Sequence, residues 1–136
     1  MVYRDLDDVE TMLSVAKTQS HAVVIGAGLL GLEAAAGLSA QGMNVTVVHL
    51  ADHLMEKQLD KPAALLLEKA MQARGIRILT SANTAQINGI DRVTGITLKD
   101  GTVLAAELVV MAVGIKPSTE LAESAGLLVN LSLIHI

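Results

Sequence analysis

Gly26, Gly28 and Gly31 stand in the stretch VVIGAGLLGLEAAAGL (residues 23–38), and with Ala27, Leu29 and Leu30 between them they spell G-x-G-x-x-G. Each glycine has a separate physical use in such a turn. The first permits the tight bend, the second lets a pyrophosphate come close to the backbone, and the third lets the following helix lie on the preceding strand. A helix that opens there presents free N–H groups and the positive end of its dipole, so the chemistry on offer is anion binding, here of a dinucleotide pyrophosphate. Such turns also arise for packing alone. The apolar strand before, the helix after and a second strand at the expected distance favour the cofactor site.

Two further residues bear on that site. Glu33 lies two residues past the last glycine, read as within the first helical turn, on a helix otherwise of Leu and Ala. It is either a carboxylate placed for the helix dipole, worth about 0.3–1 kcal/mol, or a hydrogen-bond acceptor for a cofactor amide. Both readings stand. The fingerprint also wants Asp or Glu about 20 residues on, to accept hydrogen bonds from the adenosine ribose. His49 occupies that position. Histidine can bond to a ribose hydroxyl and, protonated, tolerate a 2′-phosphate. Lys57 is the nearest base, and the choice between NADH and NADPH stays open.

Other groups carry less. His49 and His53 are four apart but fall on a strand end and loop without a third ligand, so no metal is assigned. Asp5, Asp7 and Asp8 read as an acidic helix start, not a cation loop. Met43, Met55, Met71 and Met111 read as scattered core fillers. No catalytic residue emerges.

The elements that must position the glycine turn follow from hydrophobic spacing. Residues 5–19 read as an amphipathic helix with Leu6, Val9, Leu13 and Ala16 inward. A strand at 21–25, a helix at 28–40 and a strand at 44–50 come next. Asp60 caps a helix with Pro62 in its first turn and Leu66, Leu67, Ala70 and Met71 on one apolar face, ending at Gly75. A short strand at 76–79 precedes three runs, 84–90, 93–98 and 102–105, the last two joined by Asp100-Gly101, a hairpin signal. Residues 107–113 form a continuous apolar strand, and 118–124 a short helix. The expectation is an α/β, Rossmann-like three-layer domain, a parallel sheet whose usual third crossover is an antiparallel β-meander.

Composition agrees. Hydrophobic residues make up 51% of the 136, yet Tyr3 is the sole aromatic, so the core must be aliphatic, as in a buried parallel sheet. The net charge of −4, with Lys and Arg scattered, argues against nucleic acid as a partner. With no cysteine, disulfides, thiolate-held clusters and Cys–zinc sites are excluded within this chain. The acidic start is no signal peptide, and no apolar run approaches the ~20 residues of a membrane span. A soluble, cytoplasmic domain with no membrane partner is expected.

With these pieces in order, VVIGAGLLGLEAAAGL, NVTVVH and DGTVLAAELVVMAVGIKPST together resemble the NAD(P)H-binding domain of the FAD-dependent pyridine nucleotide–disulfide oxidoreductase superfamily. The resemblance covers residues 20–129. LLGLEAA, the strand ending in His49, LMEKQLDKPAALLLEKAMQARGI and VVMAVGIKP are similar to the large subunits of assimilatory NAD(P)H nitrite reductases.

The resemblance implies an NAD(P)H domain inserted in an FAD domain, with hydride passing from nicotinamide to flavin. Gly26, Gly28 and Gly31, with Leu29 and Leu30 in the same turn, would meet the pyrophosphate, and Glu33 the nicotinamide side. His49 would lie near the adenosine ribose, and Ala112, Val113 and Gly114 would border the cofactor. In a nitrite reductase, electrons would go on through an iron–sulfur cluster and siroheme to nitrite. The FAD domain and electron-accepting domains would be partners lying outside this chain.

By the same resemblance, residues 1–19 are a connector helix from that FAD domain, and 130–136 an atypical tail, truncated or foreign. The fragment alone is then expected to bind dinucleotide and catalyse nothing. Apolar positions in 109–113 and 127–129 would lose part of their cover and promote self-association. Two alternatives remain: a related reductase serving a rubredoxin, a ferredoxin or a disulfide, and a fold-retaining interaction domain without cofactor.

Overall fold

The computed structural model describes residues 1–3, 5–114, 118–127 and 129. In chain order the elements are α1 (Leu6–Ala16), β1 (His21–Ile25), α2 (Leu29–Ala40), β2 (Asn44–Val48), α3 (Lys61–Ala73) and β3 (Arg77–Leu79). They continue as β4 (Thr84–Gly89), β5 (Val93–Leu98), β6 (Val103–Ala105), β7 (Leu108–Met111) and α4 (Glu120–Ser124). A parallel sheet runs β3-β2-β1-β7 and an antiparallel sheet β4-β5-β6. This is the expected three-layer α/β architecture, with the meander in place of a crossover helix.

Alternation along the parallel strands separates two cores. Ala22, Val24, Val45, Val47 and Val110 pack against the helices, together with Leu32, Ala35 and Leu38 of α2. Val23, Val48 and Val109 point the other way, onto Ile96, Leu98 and Leu104 of the meander. A sheet covered on both faces needs apolar residues at nearly every position, which is why β1 and β7 read as continuous runs.

Local signals set the helix starts. Asp5 and Asp8 form a reciprocal capping box at α1, which accounts for the acidic cluster. Asp60 accepts from the Ala63 N–H at α3. The Asp100-Gly101 turn joins β5 to β6, with the Asp100 side chain accepting from Thr102 N.

Three expectations are corrected. On α1, Leu6 (79% exposed) and Leu13 face solvent, and Met12 (6%) enters the core flanked by Val9, Val15 and Ala16. Both sets have helical spacing, and the fit against α2 selects the second. On α3, Leu66 and Ala70 are exposed, whereas Ala64, Leu67 and Met71 face inward. Thirdly, β7 keeps its cover: Val109 and Val110 are buried. Residues 1–3 run parallel along its edge, Met111 N donating to Met1 O (2.8 Å) and Tyr3 N to Met111 O (3.1 Å). Val113 and Leu127 remain exposed. The tail, 130–136, lies outside the described residues. Among the described residues no helix is long and apolar enough to cross a membrane.

Candidate functional site

The glycine turn lies where β1 hands over to α2, at the carboxyl ends of the parallel strands. Its three glycines answer to different neighbours. Gly26 has φ +106°, and a Cβ there would overlap the carbonyl oxygen of Ala112. A Cβ at Gly31 would overlap the carbonyl oxygen of Gly26, so the third glycine lets α2 lie against the turn. Gly28 differs. Its φ of −76° suits any residue, and a Cβ would meet nothing within 4 Å. Among the described residues nothing requires a glycine there.

Gly28 is the N-cap of α2 and offers no side-chain cap. The first intrahelical bond runs from Leu32 N to Gly28 O (3.0 Å), so the N–H groups of Leu29, Leu30 and Gly31 have no helical acceptor. Leu29 and Leu30 are themselves exposed. Ala112 N donates to Ile25 O (2.8 Å), which brings residues 112–114 beside the turn, with Val113 and Gly114 exposed.

Ala27 is fully buried, and the segment following β2 clamps both its backbone polar groups. Its carbonyl accepts from Met55 N (3.0 Å), at a residue held at φ +49°. Its N–H donates to His49 Nδ1 (3.2 Å). Nδ1 must therefore carry a lone pair, which puts the ring proton on Nε2, and Nε2 donates to Glu56 Oε2 (2.9 Å). His49, 8% exposed, has both ring nitrogens engaged by protein. The Glu56 side chain stays 35% exposed. Burial raises the Glu56 pKa, but its own backbone N–H and the His49 hydrogen bond outweigh that and leave it below the usual carboxylate value. Nearby, hydrogen bonds from Lys61 and then His53 lower Asp52 to about 2.

Glu33 falls one turn later than the sequence suggested. It is the fifth helical residue of α2, whose first turn holds no acid, so the dipole reading loses its basis. Its side chain is exposed. The structure thus gathers Gly26, Gly28, Leu29, Leu30, Gly31, Ala112 and Val113 around one turn, with Gly114 next in the chain, sets Glu33 on the helix leading away, and bonds His49 to Ala27 within the turn. The sequence reads Ala27 only as a spacer of the turn and Met55 as a core filler, and does not single out Glu56. The only trace of the last is a carboxylate seven residues after a strand-end histidine. Among the described residues no group of three His, Asp or Glu side chains could hold a metal.

The family model described as pyridine nucleotide-disulphide oxidoreductase matches residues 2–134. The chain belongs to this family. A nitrite reductase (NAD(P)H) of Bacillus subtilis is 50% identical over 132 residues, 97% of this chain. An assimilatory nitrate reductase electron transfer subunit of the same organism is 45% identical, also over 97%. Among solved structures, a ferredoxin reductase from Rhodopseudomonas palustris superposes with a TM-score of 0.91 at 36% identity, covering 96% of this chain. The chain spans 16% and 17% of the length of the two curated relatives and 33% of the ferredoxin reductase.

Proposed function

We propose that this domain binds NAD(P)H, with the pyrophosphate against the 26–31 turn, and presents it to an FAD carried elsewhere in a flavin-dependent reductase. Gly28 carries this reading. A glycine that neither φ nor packing demands is explained by a ligand that must touch the backbone. The fit is good on the donor side as well: the N–H groups of Leu29, Leu30 and Gly31, which have no helical acceptor, suit phosphate oxygens at the positive end of α2.

When bound, the nicotinamide supplies the hydride. The protein binds and orients it. Gly26 and Gly31 allow β1, α2 and residue 112 to converge, Leu29, Leu30 and Val113 offer apolar surface, and Gly114 borders the cofactor. Glu33, with its dipole role gone, is assigned to the nicotinamide carboxamide as an acceptor. His49 supports the turn through Ala27. Residues 20–129 form the binding domain, and residues 1–19 connect it to the FAD domain.

For the parent enzyme, nitrite reductase is the reading we favour, resting on the 50% identity to the Bacillus subtilis enzyme. Siroheme and an iron–sulfur cluster would then lie in other domains. A ferredoxin reductase is the second reading, favoured by the close superposition on the Rhodopseudomonas palustris structure.

The test is calorimetric titration of the chain with NADH and NADPH, beside Gly28→Leu. Saturable one-to-one binding is expected, abolished in Gly28→Leu with the fold retained by circular dichroism. Binding that survives the leucine means the pyrophosphate does not lie on this turn.

A further inference from the structure

The strand-end acid that normally faces the adenosine ribose is replaced by His49, whose ring nitrogens are both committed, to Ala27 N and to Glu56. The imidazole has no further group with which to bond a ribose. Its neighbours in the loop after β2 are committed too: Asp52 pairs with Lys61 and His53, and Asp60 caps α3. Glu56 is different. Among the described residues its one side-chain hydrogen bond is to His49, with Lys57 a nearby charge, and its part-exposed carboxylate is linked through His49 to the glycine turn. A carboxylate thus stands hydrogen-bonded to the residue that occupies the position where the fingerprint expects one.

We infer that Glu56 replaces the missing strand-end carboxylate, accepting hydrogen bonds from the 2′- and 3′-hydroxyls of the adenosine ribose and selecting NADH over NADPH. This rests on the dinucleotide reading above. A carboxylate accepts from a diol through two oxygens and repels a 2′-phosphate, so one group supplies both attraction and discrimination. Lys57 is the adjacent cation that would favour the phosphate, and it adjoins Glu56 itself. Fixing the carboxylate through buried His49 limits the entropy lost on binding.

Glu56→Gln separates this role from support of the turn, because the amide oxygen still accepts the His49 Nε2–H. The chain, Glu56→Gln, and His49→Glu placed on Glu56→Gln are each titrated with NADH and NADPH by calorimetry, with thermal melts to confirm folding. The unsubstituted chain should prefer NADH. Glu56→Gln should weaken NADH about tenfold or more and leave NADPH unchanged or tighter. His49→Glu on that background, which puts the acid back on the strand end, should restore the NADH preference. Equal loss of both nucleotides in Glu56→Gln, or a preference for NADPH in the unsubstituted chain, overturns the inference and leaves the dinucleotide reading intact. Failure of the folded, unsubstituted chain to bind either nucleotide overturns both.

Discussion

Gly28 and Gly31 are the same residue type three positions apart, yet substitution should affect them in opposite ways. Gly31→Ala forces a Cβ into the Gly26 carbonyl, and Gly26→Ala combines a left-handed φ with overlap on Ala112. Each should destabilise the domain by about 2–5 kcal/mol, read from urea or thermal unfolding. Gly28→Ala should leave stability within about 1 kcal/mol, since its φ is ordinary and its surroundings open. A Gly28→Ala loss as large as that of Gly31→Ala would show that packing explains all three glycines. His49→Leu leaves the buried Ala27 N–H without its acceptor and should cost about 1–3 kcal/mol, a loss measurable without any nucleotide present.

Among the elements, helix existence was legible and helix rotation was not. The α1 sequence LDDVETMLSVA contains two overlapping apolar stripes, Leu6-Val9-Leu13 and Val9-Met12-Ala16, both at helical spacing. Only contact with α2 separates them. Met12→Ala should therefore cost about 2–5 kcal/mol, whereas Leu6→Ala should stay within about 0.5 kcal/mol, as thermal melts would show. The reverse order would mean the first stripe faces inward. For α3 the same ambiguity arises because LLL at 65–67 offers apolar residues in every direction. The bounds of strand β1 are legible to the residue, because a strand inside a doubly covered sheet is bounded sharply by polar or glycine neighbours on both sides. Strand β7 ends sooner than its apolar run suggests, since Ala112 to Gly114 leave the ladder to meet the glycine turn.

For the whole molecule, hydrogen-bonded carboxylates predict the acid limb of stability. Glu107, which accepts from the His21 N–H, and Glu56 are both held below their usual 4.5, Asp100 below 3.8 through the Thr102 N–H, and Asp52 at about 2. A depressed carboxylate stabilises the fold above its unfolded value and loses that contribution as pH falls through its native one. The melting temperature should thus hold from neutrality to about pH 5 and decline below about 4.5, with Glu107→Gln losing stability at pH 7 and converging on the parent in acid. A constant gap at every pH would remove Glu107 from this account.

The sequence by itself determined the layer order, the caps and the glycine turn, because each rests on neighbours within a few positions: apolar alternation, a capping carboxylate, a G-x-G-x-x-G between strand and helix. Tertiary structure alone decided which glycines the protein's own packing demands and which it leaves open. That distinction depends on Ala112, 86 residues from Gly26, and on whether a Cβ at Gly28 meets any atom. It also decided what His49 does. A histidine at a strand end can face a ligand or brace a loop, and only the folding of residues 49–56 back over Ala27 puts a backbone N–H on one nitrogen and a carboxylate on the other.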